Sequence, residues 1–289
     1  MAKLDTSAGK TEADPMVSAK WLAAHLGDKN VIAIDSTWCM PGSDMPHPDQ
    51  FIPGPHFDID VIADPNAAFS HTLPSPGDFQ AAVREMGVNK DSFVICYDRH
   101  GLMSAPRVWW MFRAMGHDNV KVLDGGLPAW LALEQDVVSA PSNGPRGDFI
   151  ARFRPGLVKS KAGVLGALGT CQILDARAKG RFDGTAPEPR KGLSSGHMPG
   201  AMSTPFGSLK TDDGFLKSKA ELADIFEAAG FNADSPAITS CGSGVTACGI
   251  ALALARLGVW DAAVYDGSWV EWASDPASPI DTINSESAP

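Results

Sequence analysis

Residues 237–257 read AITSCGSGVTACGIALALARL, and this stretch decides the fold. Its first four residues are mostly apolar or β-branched and predict a buried strand, whereas residues 245–257 have the apolar content and length of a buried helix. The intervening loop contains Gly242 and Gly244. A strand that leads through a glycine-containing loop into a helix is the βα unit from which parallel sheets are built.

The first half of the chain contains the same unit, with a predicted strand at Phe93–Tyr97 and a predicted helix at residues 105–115. Three short segments also recur in the same order about 140 residues apart, which is too long a period for a solenoid and indicates a duplicated domain. The matched segments are 32–35 with 172–175, 52–54 with 198–200, and 122–126 with 264–268.

The predicted fold is therefore α/β, with two homologous domains that each contain a mostly parallel sheet flanked by helices. The segment 141–147, PSNGPRG, lacks an apolar period and predicts a linker. We predict four segments: a flexible amino-terminal tail at 1–14, a first domain at 15–140, a linker at 141–155 and a second domain at 156–289.

Composition excludes several classes of protein. The 289 residues carry a net charge of −10, which argues against a nucleic-acid-binding or anionic-membrane surface. The five cysteines form no CxxC pair, so neither a disulfide framework nor a zinc site is expected. The amino terminus lacks the apolar region of a secretory signal. We therefore expect a cytoplasmic protein without metal or cofactor.

Cys241 is the candidate nucleophile. It follows the strand directly and precedes a helix amino terminus, where backbone N–H groups and the helix dipole favour the thiolate. The alternative is a buried structural thiol, which is the interpretation adopted for the cysteines at 39, 96, 171 and 248. A tyrosine-phosphatase loop is disfavoured because it requires an arginine six residues after the cysteine, and that position holds Ala247.

The first half provides an internal comparison. Its strand ends at Tyr97 and leads to Asp98 where the second half has Cys241, so the duplicated loop has no thiol. We therefore expect the second domain to be catalytic and the first to lack the chemistry.

A local excess of positive charge precedes the cysteine. Residues 176–191 contain five Lys or Arg residues against Asp183 and Glu188. Such a segment is consistent either with a loop over an anion site or with a solvated surface loop, and composition alone leaves both open. Arginine suits a carboxylate because its planar fork donates two parallel hydrogen bonds.

The sequence resembles the tandem-domain rhodanese family of sulfurtransferases, in particular its members that act on 3-mercaptopyruvate. The resemblance covers about residues 16–272. Its motifs are Phe57-Asp58-Ile59-Asp60, Ser104-Ala105-Pro106-Arg107-Val108-Trp109-Trp110, Gly180-Arg181-Phe182, Pro189-Arg190 and Tyr265-Asp266-Gly267-Ser268-Trp269. Relatives that prefer thiosulfate have basic residues directly after the cysteine, whereas this chain has Gly242 and Ser243.

The resemblance implies a role for each matched residue. Cys241 accepts the sulfur, and Arg181 and Arg190 hold the carboxylate and keto oxygen of the donor. The remaining implied site residues are Ser243 beside the nucleophile, Asp60 and His71 from the first domain in a cleft between the domains, and the loop positions Gly242, Gly244, Val245 and Thr246, whose N–H groups stabilise the transferred sulfur.

The implied reaction forms a cysteine persulfide, releases pyruvate, and passes the sulfur to thioredoxin, a small thiol or cyanide. Two alternatives stay open at this point. One is a thiosulfate:cyanide sulfurtransferase, and the other is a persulfide carrier module, although a carrier has no small carboxylate for the two arginines to hold.

Overall fold

The computed structural model describes residues 14–40 and 42–283. These residues form two compact units. The amino-terminal unit contains residues 14–155 together with Lys210–Leu216, and the carboxy-terminal unit contains residues 156–209 and 217–283. Of the tail predicted at 1–14, only the last residue lies within the described part of the chain.

The amino-terminal unit is a parallel sheet with the strand order β1-β4-β3-β2. Its elements are β1 (Met16–Val17), α1 (Ala19–His25), β2 (Val31–Asp35), α2 (Pro76–Glu85), β3 (Phe93–Tyr97), α3 (Ala105–Ala114), β4 (Val120–Leu123) and α4 (Gly126–Leu131).

The carboxy-terminal unit is a parallel sheet with the order β5-β9-β8-β6-β7. Its elements are β5 (Val158–Lys159), α5 (Lys161–Leu165), β6 (Gln172–Asp175), α6 (Lys179–Asp183), β7 (Met202–Ser203), α7 (Lys219–Ala228), β8 (Ala237–Ser240), α8 (Ala247–Arg256), β9 (Ala263–Tyr265) and α9 (Ser268–Ser274), with 3-10 turns at Pro155–Leu157 and Phe206–Leu209.

Helices cover both faces of the amino-terminal sheet. Ile95 and Tyr97 of β3 pack in one apolar cluster with Leu22 of α1 and Trp130 of α4. Because side chains alternate along a strand, the equally buried Val94 and Cys96 point to the opposite face, against which α3 packs. Burial on both faces explains why β3 is a continuous apolar run rather than an alternating one.

The predicted duplication and the predicted parallel α/β fold are confirmed. The order β1-β4-β3-β2 of one unit corresponds to β5-β9-β8-β6 of the other, which has β7 in addition. The strands predicted at 93–97 and 237–240 have the predicted bounds. Helix α8 begins at Ala247, two residues later than predicted, because the carbonyls of Val245 and Thr246 accept i→i+3 hydrogen bonds and form a tighter turn ahead of the α-helix.

Within the described ranges, no helix combines the length and apolar character needed to span a bilayer.

Candidate active site

Cys241 lies at the carboxyl end of β8 and begins the loop that leads into α8. The residue is buried, with 2% of its surface exposed. The first backbone N–H groups of α9 hold the loop from the other side, because Trp269 N donates to Cys241 O at 2.9 Å and Val270 N donates to Gly242 O at 3.0 Å. The backbone at the thiol is therefore fixed by two adjacent elements.

The loop turns back so that one of its own amides faces the sulfur. Gly244 N donates to Cys241 Sγ at 3.1 Å. The left-handed backbone of Gly244 allows this turn, which a residue with a side chain adopts only at an energetic cost. An N–H group that points at a sulfur stabilises negative charge that develops there, so the loop supplies a preorganised donor to Cys241 Sγ.

Ser268 is the second polar contact of the cysteine. Its Oγ accepts a hydrogen bond from Cys241 N at 3.2 Å and donates its own proton to Tyr265 O at 2.9 Å. The same Oγ lies 3.9 Å from Cys241 Sγ. Because the hydroxyl has one proton and the carbonyl is much closer, Ser268 acts mainly on the backbone of Cys241 rather than on its sulfur.

The duplicated loop of the amino-terminal unit begins with the same backbone hydrogen bond but has different side chains. Leu127 N donates to Asp98 O at 2.9 Å, as Trp269 N does to Cys241 O. Gly126 occupies the place of Ser268, and both residues are left-handed, with φ values of 55° and 49°. The unit without the thiol thus has the unstrained residue at the position where the other unit has a serine.

Asp98 is a structural group in this copy. Its carboxylate accepts hydrogen bonds from the backbone N–H groups of His100, Ser104 and Ala105. Burial raises the pKa of Asp98, although these hydrogen bonds act in the opposite direction. The carboxylate caps the amino end of α3 from inside the protein, which accounts for an acid where the other unit has a cysteine.

Arg181 lies beside the cysteine loop. A Cβ atom placed on Gly242 would be 3.2 Å from Arg181 Nη2, so the absence of a side chain at Gly242 leaves room for the guanidinium. The structure therefore brings a cation next to the residue that follows the thiol.

Three ion pairs connect Arg181 to the interior of the unit. Glu188 pairs with both Arg177 and Arg181, and Arg177 also pairs with Asp175 at the end of β6. The guanidinium of Arg177 stacks over the Trp269 ring at 3.9 Å. Much of the positive charge counted in residues 176–191 is thus neutralised inside the protein, and the segment is not simply a solvated loop.

The other predicted site residues belong to three parts of the chain. Arg190 is exposed, two residues beyond Glu188 on the same segment. In the amino-terminal unit, Asp60 Oδ1 pairs with His71 Nε2 at 2.7 Å, and Trp38 Nε1 donates to Asp60 Oδ2 at 3.0 Å. In the cysteine loop, Ser243 and Thr246 are half-buried, whereas Val245 is buried.

Three cysteines outside the loop lie where burial disfavours ionisation. Burial raises the pKa values of the Cys39, Cys96 and Cys171 thiols. Cys248 lies on α8, where its Sγ donates to Gly244 O at 3.3 Å. All five residues are free thiols.

Comparison with known proteins identifies the family. The model of the rhodanese-like domain matches residues 18–133 and again residues 161–275, which together make up most of the chain. The chain belongs to the rhodanese family. The predicted resemblance is thereby confirmed, and each compact unit contains one rhodanese domain.

Known sulfurtransferases align with this chain over most of its length. The 3-mercaptopyruvate sulfurtransferase of Escherichia coli is 42% identical over 279 residues, which cover 92% of this chain and 98% of the relative. The thiosulfate/3-mercaptopyruvate sulfurtransferase 2 of Arabidopsis thaliana is 43% identical over 296 residues, covering 92% and 86%. The crystal structure of a 3-mercaptopyruvate sulfotransferase from Escherichia coli superposes with a TM-score of 0.80 at 40% identity, covering 89% and 99%.

Two contacts of this rhodanese site did not emerge as site features from the sequence. In the sequence, Ser268 was noted only as the last residue of the repeated segment 264–268. The signal that could have singled it out is its alignment with Gly126 in the other copy. Glu188 entered the sequence analysis only as a negative charge that offsets the local excess of positive charge. Its position between Arg177 and Arg181 arises from the turn after α6, which the sequence did not reveal.

Proposed function

We propose that this chain is a 3-mercaptopyruvate sulfurtransferase in which Cys241 carries the transferred sulfur as a persulfide. The single observation that supports this proposal most is the hydrogen bond from Gly244 N to Cys241 Sγ. It places a preorganised donor at the sulfur that is charged in the attacking thiolate and again after the outer sulfur has passed to the acceptor.

In the first half-reaction, the Cys241 thiolate attacks the sulfur of 3-mercaptopyruvate. The new S–S bond forms as the C–S bond of the donor breaks. The electron pair of the C–S bond stays on carbon, which leaves as the enolate of pyruvate. The proton of the donor thiol completes the methyl group of pyruvate. The enzyme then carries Cys–S–S⁻, in which the outer sulfur is the one transferred.

Arg181 is the proposed carboxylate ligand of the donor. Its Nη2 lies next to Gly242, one residue from the nucleophile, and its planar fork suits a carboxylate or an adjacent keto oxygen. Arg190 is proposed to supply the second cation. Together they would hold the carboxylate and keto oxygen of the donor.

In the second half-reaction, an acceptor removes the outer sulfur and restores the thiolate. Thioredoxin, small thiols and cyanide are the proposed acceptors. The cytoplasm is the proposed compartment, which agrees with five free cysteines in the structure.

Donor competition tests the proposal. With cyanide as the acceptor, we expect kcat/KM for 3-mercaptopyruvate to exceed that for thiosulfate by at least about tenfold, because no cation follows the thiol directly and thiosulfate brings two negative charges to the sulfur. A preference for thiosulfate would support the thiosulfate:cyanide alternative. Turnover with neither donor, together with transfer from a protein persulfide, would support the carrier module.

The proposed contribution of Asp60 and His71 is tested separately. Asp60→Asn keeps the shape of the side chain and removes the charge that pairs with His71. We expect kcat with 3-mercaptopyruvate to fall by about tenfold or more, as for loss of an acid–base group. Trp38→Phe removes the indole N–H that donates to Asp60 and reduces the ring that contacts His71 edge-on, and it is the milder companion variant. Full activity of Asp60→Asn would remove both residues from the proposed site.

A further inference from the structure

Glu188 links two arginines from a buried position. Its side chain is 3% exposed. Oε1 accepts a hydrogen bond from Arg177 Nη1 at 2.7 Å, while Oε2 accepts from Arg181 Nε at 3.0 Å and also from Arg181 Nη2. One carboxylate therefore contacts both guanidinium groups, using one oxygen for each.

Arg177 holds this carboxylate in place. It is fully buried, makes a two-pronged ion pair with Asp175 at the end of β6, and donates to Gly196 O. Its guanidinium also stacks on Trp269, whose backbone N–H holds Cys241 O. Arg177 thus connects Glu188 to Trp269 of α9, the residue that also holds the backbone of Cys241.

Glu188 restricts the conformation of Arg181. The Arg181 side chain is 25% exposed and would adopt several rotamers without this ion pair. Two of its nitrogens, Nε and Nη2, bond to one oxygen of Glu188. Because a guanidinium is planar, these two bonds fix the plane and direction of the group. Nη2 is also the atom that lies next to Gly242.

We propose that Glu188 is a positioning residue for donor binding, which aligns the Arg181 guanidinium beside the cysteine loop so that it meets the carboxylate of 3-mercaptopyruvate without reorganising. This inference rests on the proposed function. Glu188 itself does not touch the donor. Preorganisation of this kind improves binding because the cost of ordering the side chain is met during folding.

The alternative is that Glu188 only stabilises the fold, through its ion pair with Arg177, and this role makes a different prediction. Loss of Glu188 would then affect every donor equally and would act whether or not Arg181 is present. A double-mutant cycle separates the two roles, since it measures whether one residue acts through the other.

The experiment compares the wild type with Glu188→Gln, Arg181→Ala and the double variant. The donors are 3-mercaptopyruvate and 1-mercapto-2-propanone, which has the keto group and thiol but no carboxylate. We expect Glu188→Gln to raise KM for 3-mercaptopyruvate by about five- to tenfold with kcat changed by less than about twofold, as for loss of a charge-assisted hydrogen bond in ground-state binding. In the Arg181→Ala background, the same change should alter KM by less than about twofold.

For 1-mercapto-2-propanone, Glu188→Gln should leave kcat/KM within about twofold of the wild type. An unchanged KM for 3-mercaptopyruvate, an equal loss with both donors, or a full loss in the Arg181→Ala background would each overturn the proposal. The Kd of 3-mercaptopyruvate for Cys241→Ser, with and without Glu188→Gln, measures the same binding effect without turnover and should rise in parallel with KM.

If Glu188→Gln does not fold, Glu188→Asp replaces it. This variant keeps the charge but withdraws the carboxylate by one methylene, so we expect a smaller rise in KM with the same donor dependence. Failure of the proposed function is visible in the wild type alone, as a lack of turnover with 3-mercaptopyruvate. Failure of this inference appears only in the variants.

Discussion

Gly244 N lies 3.1 Å from Cys241 Sγ, so the loop that begins with the thiol also supplies a hydrogen-bond donor to it. This contact needs no movement when the sulfur gains charge, because the amide is already aimed at the sulfur by the left-handed turn at Gly244. The left-handed backbone of Gly244 therefore contributes directly to the sulfur transfer proposed for Cys241.

Replacing Ser268 should separate stability from activity. Ser268→Gly removes the hydroxyl that holds Cys241 N and also relieves the left-handed strain at φ 49°. We expect the rate of persulfide formation to fall by about three- to tenfold, since a hydrogen bond contributes about 1 kcal/mol. The free energy of unfolding should stay within about 1 kcal/mol of the wild type, because relief of strain offsets the lost hydrogen bonds.

Ser268→Ala is the matched control for this prediction. It removes the same hydroxyl but keeps a Cβ in the left-handed conformation, so it should lose the same activity and be less stable than the glycine variant by about 1 kcal/mol. Stopped-flow persulfide formation and chemical denaturation measure the two quantities. Wild-type rates in both variants would show that the serine plays no part in placing the cysteine.

Gly242 should be sensitive to a single added methyl group. The Cβ of Gly242→Ala would lie 3.2 Å from Arg181 Nη2, which Glu188 holds in place. We expect KM for 3-mercaptopyruvate to rise by about threefold or more as Arg181 is displaced, with a smaller effect on a donor that lacks a carboxylate.

Gly207→Ala provides the comparison for Gly242→Ala. A Cβ on Gly207 would meet no atom within 4 Å, and its backbone is not left-handed. Steady-state kinetics should therefore be unchanged in this variant. If Gly242→Ala also retains the wild-type KM, the closeness of Arg181 to the loop has no bearing on donor binding.

The pair formed by His56 and Asp35 should make stability depend on pH. The hydrogen bond from His56 Nδ1 to Asp35 Oδ2, at 3.2 Å, raises the pKa of His56 against the opposing effect of its burial. A raised pKa in the folded state stabilises the protein fully below the ordinary pKa of histidine, and this stabilisation is lost as the pH rises through the raised value.

We therefore expect the difference in unfolding free energy between the wild type and His56→Gln to shrink as the pH is increased from about 5.5 to 8.5, a range that spans the ordinary histidine pKa. Urea denaturation at several pH values measures this difference. Burial lowers the pKa of His117, so His117 changes stability with pH in the opposite direction. Its contribution is the same in both proteins and cancels when the two unfolding free energies are subtracted. A constant difference across this range would contradict the assigned pairing.

Local signals in the sequence were enough to predict the βα units, because buried parallel strands are continuous apolar runs such as Phe93–Tyr97 and glycine marks the loops that follow them. The place of Cys241 at a strand end followed from the same logic. The duplicated segments gave the second domain, and the comparison of Cys241 with Asp98 distinguished the two copies.

The partners of Arg181 could not be predicted in this way. Residues 176–191 show an excess of positive charge, but charge counting does not reveal that Glu188 turns inward to two arginines or that Asp175 neutralises Arg177. Such pairs depend on how the chain folds back after α6. The left-handed backbone of Ser268 is set by tertiary contacts, and its alignment with Gly126 in the repeat is the signal that the sequence holds for it.

Intact-mass measurement of the protein after mixing with 3-mercaptopyruvate tests the central claim most directly. The wild type should gain one sulfur, about 32 Da, as the persulfide intermediate of covalent catalysis, and peptide mapping should place it on Cys241. Cys241→Ser should fold with a stability close to that of the wild type and gain no mass, because an alcohol is a far poorer nucleophile toward sulfur than a thiolate. A sulfur found on Cys248 or any other cysteine, or turnover by the folded serine variant, would contradict the account.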